Sequence, residues 1–324
     1  MGSFENILSL VGGLALFLFG MSLMAQGLEK RAGDGLRRWL GKLTANRFLG
    51  LLLGAGVTAL IQSSSAVTVM TVGFVNAGLM TLRQSVGVIM GANIGTTLTA
   101  WLLSLTRLEG QGFLLGLLKP SGFTPILSAF GVAWYLFSKK DKKRYTGLIF
   151  LGFSVLIVGM NAMTDAVKPL AELKGFQNLL LLFSNPLLGA MMGAILTAIL
   201  QSSSASVGIL QALSATGGVT VSAAIPLIMG LNIGTCVTSL LSTVGAEKNA
   251  KRAATVHLYF NLMGTLILLV PYLLLPRLSV GDFWGDAVTA VDIALIHTGF
   301  NLISTLILFP LSGLLERLAV LTVK

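Results

Sequence analysis

Apolar residues occupy this chain in long blocks with little interruption. Seven blocks are long enough to cross a bilayer as helices: 6–28, 84–106, 121–138, 145–167, 222–245, 253–275 and 287–312. Two other stretches, 48–80 and 187–220, are apolar at both ends and polar in the middle, where Gln-Ser-Ser-Ser stands at 62–65 and 201–204. Each apolar flank is about 14 residues, or roughly 21 Å of helix, too short to span comfortably. A helical hairpin that enters the membrane and turns back at the serines resolves this. Such a turn is tolerated only inside protein or beside a water-filled cavity.

The chain also matches itself at a constant offset. Gly54, Thr58, Gln62 and Ala66 recur as Gly193, Thr197, Gln201 and Ala205. Gly91, Asn93, Gly95, Thr96 and Thr99 recur as Gly230, Asn232, Gly234, Thr235 and Thr238, and Gly20-Met21 as Gly159-Met160. The predicted organisation is therefore a first repeat over 1–139, a second over 140–278, and an appended C-terminal membrane helix in 279–324. The tail carries an echo of its own: His257-x-x-Phe260-Asn261 matches His297-x-x-Phe300-Asn301.

Composition agrees with a membrane setting. Charged residues make up 10% of the chain, against about 25% in a soluble domain. Hydrophobic residues make up 54%, and mean hydropathy is +0.87. The first apolar stretch is long for a signal peptide and reads as a retained helix. One cysteine, Cys236, and two histidines rule out intrachain disulfides and Cys- or His-rich metal centres.

The net charge of +10 would suggest nucleic acid in a soluble protein. Here no nucleic-acid surface is expected, because basic residues gather in the cytoplasmic loops of membrane proteins. With both hairpins re-entrant and the N-terminus outside, the inside loops hold Lys30, Arg31, Arg37, Arg38, Lys42, Arg47, Arg83, Lys139, Lys140, Lys142, Lys143, Arg144, Lys248, Lys251, Arg252, Arg317 and Lys324. Arg107, Lys119, Lys168, Lys174 and Arg277 fall outside. Three crossings per repeat turn the second copy upside down. The fold class expected is an all-α polytopic membrane protein of two inverted-topology repeats, each with a re-entrant hairpin and a broken helix, about seven full spans plus two hairpins. The C-terminus would lie inside a bacterial inner membrane.

The candidate chemistry sits at the two serine motifs and at two further segments, Gly91-Ala92-Asn93-Ile94-Gly95-Thr96 and Gly230-Leu231-Asn232-Ile233-Gly234-Thr235. Two glycines around an asparagine, followed by threonine, are expected to loosen the helix. Hydroxyls and amides donate and accept without carrying charge. Helix N-termini at the hairpin turns favour an anion, and freed carbonyls suit a hard cation such as sodium. Neither the hairpins' apolar flanks nor the Asn segments carry Asp, Glu, Lys or Arg. A small tetrahedral anion held beside a cation fits such walls. His257 and His297 are read equally as structural or as coupling residues. Asp165 and Asp292 are interfacial, and Asp292 is a secondary candidate as an acid near an apolar span.

At these motifs the sequence resembles the type II sodium-dependent phosphate cotransporter family, as a short bacterial member without the C-terminal regulatory domain of longer relatives. The resemblance implies sodium-coupled phosphate symport by alternating access, with the site between the repeats. It implies phosphate contacts from Gln62, Ser63, Ser64, Ser65, Gln201, Ser202, Ser203, Ser204, Asn93 and Asn232. It implies sodium contacts from Gln62, Ser65, Thr68, Asn93, Thr96, Gln201, Ser204, Ser206, Asn232 and Thr235.

The partners implied are inorganic phosphate, sodium ions and the lipid bilayer, with a homodimer and a separate regulatory protein left open. No cofactor is expected beyond co-transported sodium, and no enzymatic constellation is present. Another small anion as cargo, a phosphate exporter and a passive anion channel remain as alternatives. Both serine motifs are intact, which favours uptake.

Overall fold

The computed structural model describes residues 3–32, 46–105, 120–169, 173–274 and 283–324. Arg37, Arg38, Lys42, Arg107, Lys119 and Arg277 of the charge pattern lie outside these residues. The described residues form thirteen α-helices: α1 Ser3–Ala32, α2 Arg47–Ile61, α3 Ser64–Asn76, α4 Leu82–Ser104, α5 Pro120–Phe137, α6 Asp141–Val167, α7 Lys174–Leu182, α8 Pro186–Leu200, α9 Ser203–Ser214, α10 Val221–Leu241, α11 Lys248–Leu274, α12 Ala290–Leu308 and α13 Ser312–Thr322.

Six of them (α1, α4, α6, α10, α11 and α12) are long and apolar enough to cross a membrane. The shorter α5 covers the seventh expected span. Large apolar side chains such as Leu52, Leu60, Ile195, Ile199 and Leu306 stand exposed on the outside, as lipid contact allows. The protein is an all-helical, multi-pass membrane protein.

The hairpins follow from helix register. Methyl groups built on Gly87, Gly91 and Gly95 of α4 would overlap the carbonyls of Arg47, Leu51 and Ala55 of α2. Both series ascend together, so α2 and α4 run parallel in tight contact. The chain between them must therefore come back, and α3 is the returning arm. The second repeat does the same: Gly230 and Gly234 of α10 meet the carbonyls of Ala190 and Ala194 of α8, with α9 returning. Asn46 caps the N-terminus of α2 and Asn185, with Pro186 behind it, that of α8. Before α8, the chain bends by 100° from α7.

This register corrects one expectation. The helices are not broken at Asn93 or Asn232; α4 and α10 pass through both without interruption. The flanking glycines remove side chains where another backbone needs the space, which is a packing role. The polar residues are satisfied along their own helices: Asn93 Nδ2 donates to Ile89 O at 3.0 Å and Asn232 Nδ2 to Ile228 O at 2.8 Å.

Helices α1 and α6 cross antiparallel through two pairs of glycines. Gly20 abuts the backbone of Gly152 and Leu156, and Gly159 abuts that of Gly13 and Phe17. The contact is reciprocal, since Gly13, Phe17 and Gly20 match Gly152, Leu156 and Gly159 at the repeat offset. An equivalent helix meeting its copy head to tail is what inverted topology requires.

Candidate functional site

Each Gln-Ser-Ser-Ser is built as a helix stop followed by a helix start. Gln62 takes a left-handed conformation, φ 55°, at the end of α2, and its N–H donates to Thr58 O at 2.8 Å. Gln201 repeats this at φ 54°, donating to Thr197 O at 2.7 Å. Glutamine in that region costs roughly 1–2 kcal/mol, and such strain persists where function keeps it. The Gln62 side chain is anchored: Nε2 donates to Ala59 O, and Oε1 accepts from Thr99 Oγ1 at 2.8 Å.

The first serine of each motif caps the next helix. Ser63 Oγ accepts from Ala66 N and Ser202 Oγ from Ala205 N, both at 3.2 Å. The second and third serines open the first turn of α3 and α9, where backbone N–H groups lack helical acceptors. Two helix N-termini, each with two hydroxyls, therefore point into one place.

They point into a cavity of about 340 Å³ lined by Gln62–Ala66 and Gln201–Ser204. The tips touch, Ser65 Oγ donating to Gln201 O at 3.3 Å. Ser64, Ser203 and Ser204 are buried, while Gln201 is exposed. The remaining wall is one face of α1: Leu18, Met21, Ser22, Ala25, Gln26 and Glu29. Three of the matching positions on α6, Ile157, Met160 and Thr164, are fully buried instead. The other three, Asn161, Asp165 and Lys168, are exposed, so the cavity is walled by α1 while α6 contributes none of its described lining. Glu29 is the sole charged residue on the wall among the described residues.

All eight serine-motif residues of the sequence reading come together here. Asn93, Thr96, Asn232 and Thr235 do not line the cavity. They are buried one layer behind, with Thr96 and Thr235 bonded to Ala92 O and Leu231 O. Thr68 bonds back to Ser64 O and Ser65 O, and Ser206 to Ser202 O, so both stiffen the returning arms. Asp292 forms a capping box with Thr289, and Asp165 pairs with exposed Lys168, so neither reaches the cavity.

Both histidines are fully buried. His257 Nδ1 lies 3.1 Å from Ser239 Oγ, and Asn301 Nδ2 donates to Asn232 Oδ1 at 3.3 Å. His257 Nε2, both ring nitrogens of His297, and the Asn261 and Asn301 side-chain oxygens have no partner among the described residues. This polar seam joins α10, α11 and α12 behind the cavity. Ser22, Gln26 and Glu29 escaped the sequence reading, although a polar stripe of spacing four and three on an apolar helix was there to find.

A family model described as "Na+/Pi-cotransporter" matches this chain twice, over residues 16–165 and 155–305. The Escherichia coli K12 protein named "Putative inorganic phosphate export protein YjbB" is 29% identical over 265 residues, covering 82% of this chain and 46% of that protein. "Uncharacterized protein YqeW" of Bacillus subtilis is 28% identical over 268 residues, covering 82% of each chain. Human "Sodium-dependent phosphate transport protein 2B" is 35% identical over 164 residues, covering 45% of this chain and 23% of that protein. The chain thus spans less than half the length of the Escherichia coli relative. No solved structure matches.

Proposed function

The chain belongs to the Na+/Pi-cotransporter family, and from that premise we propose that it is a sodium-coupled symporter of inorganic phosphate. The observation that carries this reading is the meeting of two uncharged serine tips around one cavity. Phosphate would be held by the hydroxyls and first-turn N–H groups of Ser64, Ser65, Ser203 and Ser204, with Gln62, Ser63, Gln201 and Ser202 shaping the tips. Sodium would be held beside it by side-chain and backbone oxygens of Gln62, Ser65, Gln201 and Ser204. Thr68, Asn93, Thr96, Ser206, Asn232 and Thr235 would serve once the tips move. Anion and cation then offset each other's charge, which the absence of fixed charges at the tips requires.

Alternating access is supported by the asymmetry of the cavity. Both serine tips line it, but only the first helix of repeat 1–139, α1, adds a wall, while Ile157, Met160 and Thr164 of α6 are buried in packing. Exchanging the two arrangements would open the opposite side. The distribution of basic residues supports an N-terminus outside and a C-terminus inside a bacterial inner membrane, in which case the cavity would open at the inner end of α1.

A second reading reverses the direction. The Escherichia coli relative is named for phosphate export, and export through the same site is favoured by that likeness alone. Labelled phosphate in proteoliposomes, with sodium gradients of either sign, tests both. Accumulation driven by inward sodium is expected. Phosphate movement indifferent to sodium would rule out the symport.

A further inference from the structure

We infer a second anion site, an arginine-lined recess that takes the phosphate headgroup of an anionic phospholipid. It lies where the starts of α2 and α4 meet α13, and it encloses about 550 Å³. Among the described residues, Arg47, Arg83 and Arg317 line it, against the single carboxylate of Glu316. Arg47 is already committed: Nη1 donates to Ser312 Oγ at 2.7 Å, and Nη2 lies 3.6 Å from Glu316. Arg83 and Arg317 are exposed, with no ion-pair partner among the described residues. Two unspent guanidinium forks beside a third offer bidentate hydrogen bonds of the kind phosphate oxygens accept.

The surroundings favour a lipid over free phosphate. Val320 and Leu321 form the adjoining wall, and Leu321 is 70% exposed, so the recess opens on an apolar surface. The same end of the molecule carries exposed Lys248, Lys251 and Lys324. It is drawn together by Glu247 N on Asn76 Oδ1 at 2.8 Å and Arg252 Nε on Val323 O at 3.0 Å. A basic pocket beside an apolar wall at the level where helices begin suits an anionic headgroup with its chains in the bilayer.

The hairpin fold does not itself demand these cations. At the repeat offset Arg47 and Arg83 become Pro186 and Ser222, where Tyr272 Oη donates to Ser184 O and Ser222 O instead. The arginines are a property of one end only. Arg47, the first residue of a hairpin arm, already ties that arm to α13, and a headgroup bridging it to Arg317 would reinforce the tie.

The test is lipid retention by the purified full chain in phosphatidylcholine nanodiscs containing a minor fraction of phosphatidylglycerol, read by native mass spectrometry. Arg83→Gln and Arg317→Gln should each lower phosphatidylglycerol retention about fivefold, leaving phosphatidylcholine unchanged. Arg83→Lys keeps the charge, loses the fork, and should fall between. Unchanged retention in the double variant would overturn the proposal. So would an equal loss in a Lys248→Gln, Lys251→Gln control, which would mean general attraction to the leaflet. Displacement of the lipid by inorganic phosphate, lost with the same arginines, would assign the recess to free phosphate instead. Both substituted arginines are exposed and unpaired, so the variants should fold, and matched melting temperatures would verify it.

Discussion

The Ser65 hydroxyl donates to the Gln201 carbonyl at 3.3 Å, across 136 residues of sequence. A side chain of one hairpin tip thus holds the backbone of the other. The mirror bond, Ser204 to the Gln62 carbonyl, is not made among the described residues. On that side the Gln62 amide is held by Thr99, while the Thr238 hydroxyl, which corresponds to Thr99, is buried without a partner. The two tips are alike in fold and unequal in bonding.

Serines that only packed could be shaved without loss. Ser64→Ala and Ser203→Ala each remove a buried hydroxyl next to the proposed anion. A hydrogen bond to a charged group contributes about 1.5–3 kcal/mol, so phosphate transport efficiency should fall about tenfold or more in each. Proteoliposome uptake rates decide the matter, and wild-type rates in both variants would demote the serines to packing groups.

Gln62 holds a conformation that glycine adopts freely. Gln62→Gly should therefore be more stable than Gln62→Ala by about 1 kcal/mol, while both lose transport with the anchored amide. Thermal melts measured alongside uptake separate the two effects. Equal stability of the two variants would mean that the tip relaxes out of its left-handed geometry.

Gly91 has no room for even one methyl group against Leu51, whereas Gly12 has open space around it. Gly91→Ala should cost about 1–3 kcal/mol, and Gly12→Ala should be near neutral or slightly stabilising. A lower melting temperature for the first variant alone is the expected outcome.

Among the described residues, Glu29 is the one charge on the cavity wall. A carboxylate there attracts sodium and repels phosphate. Glu29→Gln should raise the sodium concentration needed for half-maximal uptake by severalfold and leave the phosphate KM unchanged or lower. A phosphate KM that rises alone would contradict this role.

Cys236 is buried, so introduced cysteines can be labelled against a silent background. Lys142→Cys and Lys174→Cys lie at opposite ends of the proposed topology. An impermeant maleimide added to sealed, right-side-out vesicles should reach the second and not the first. Reaction at both from one side would break the inverted arrangement.

Much of this architecture was legible in the sequence. Apolar length located the spans, and a polar break inside an apolar stretch marked each hairpin. The constant offset tied Gln62 to Gln201 before any geometry was known. The asparagine segments were misread because glycine has two uses. Gly91 and Gly95 can loosen a helix or admit a neighbour, and the choice rests on the backbone of Leu51 and Ala55, which no local pattern reveals. Glu29 was hidden by its neighbours Lys30 and Arg31, which made it look like part of a charged loop. Its place on the wall depends on how far α1 reaches past the tips, and that is set by the α1–α6 crossing.

That crossing of glycines is also self-complementary. A half-length protein able to insert in both orientations would meet its twin through the same face of the same helix, as a self-complementary dimer. In such a dimer one substitution alters both sides at once, and the two mouths of the pathway must stay identical. Two halves within one chain are free of that constraint. Gln26 and Glu29 now face the cavity, while their counterparts Asp165 and Lys168 pair with each other at the surface. Each side can then carry its own charge, and a carrier whose two sides differ can show different apparent affinities at its two faces, while the gradients set the direction of net transport.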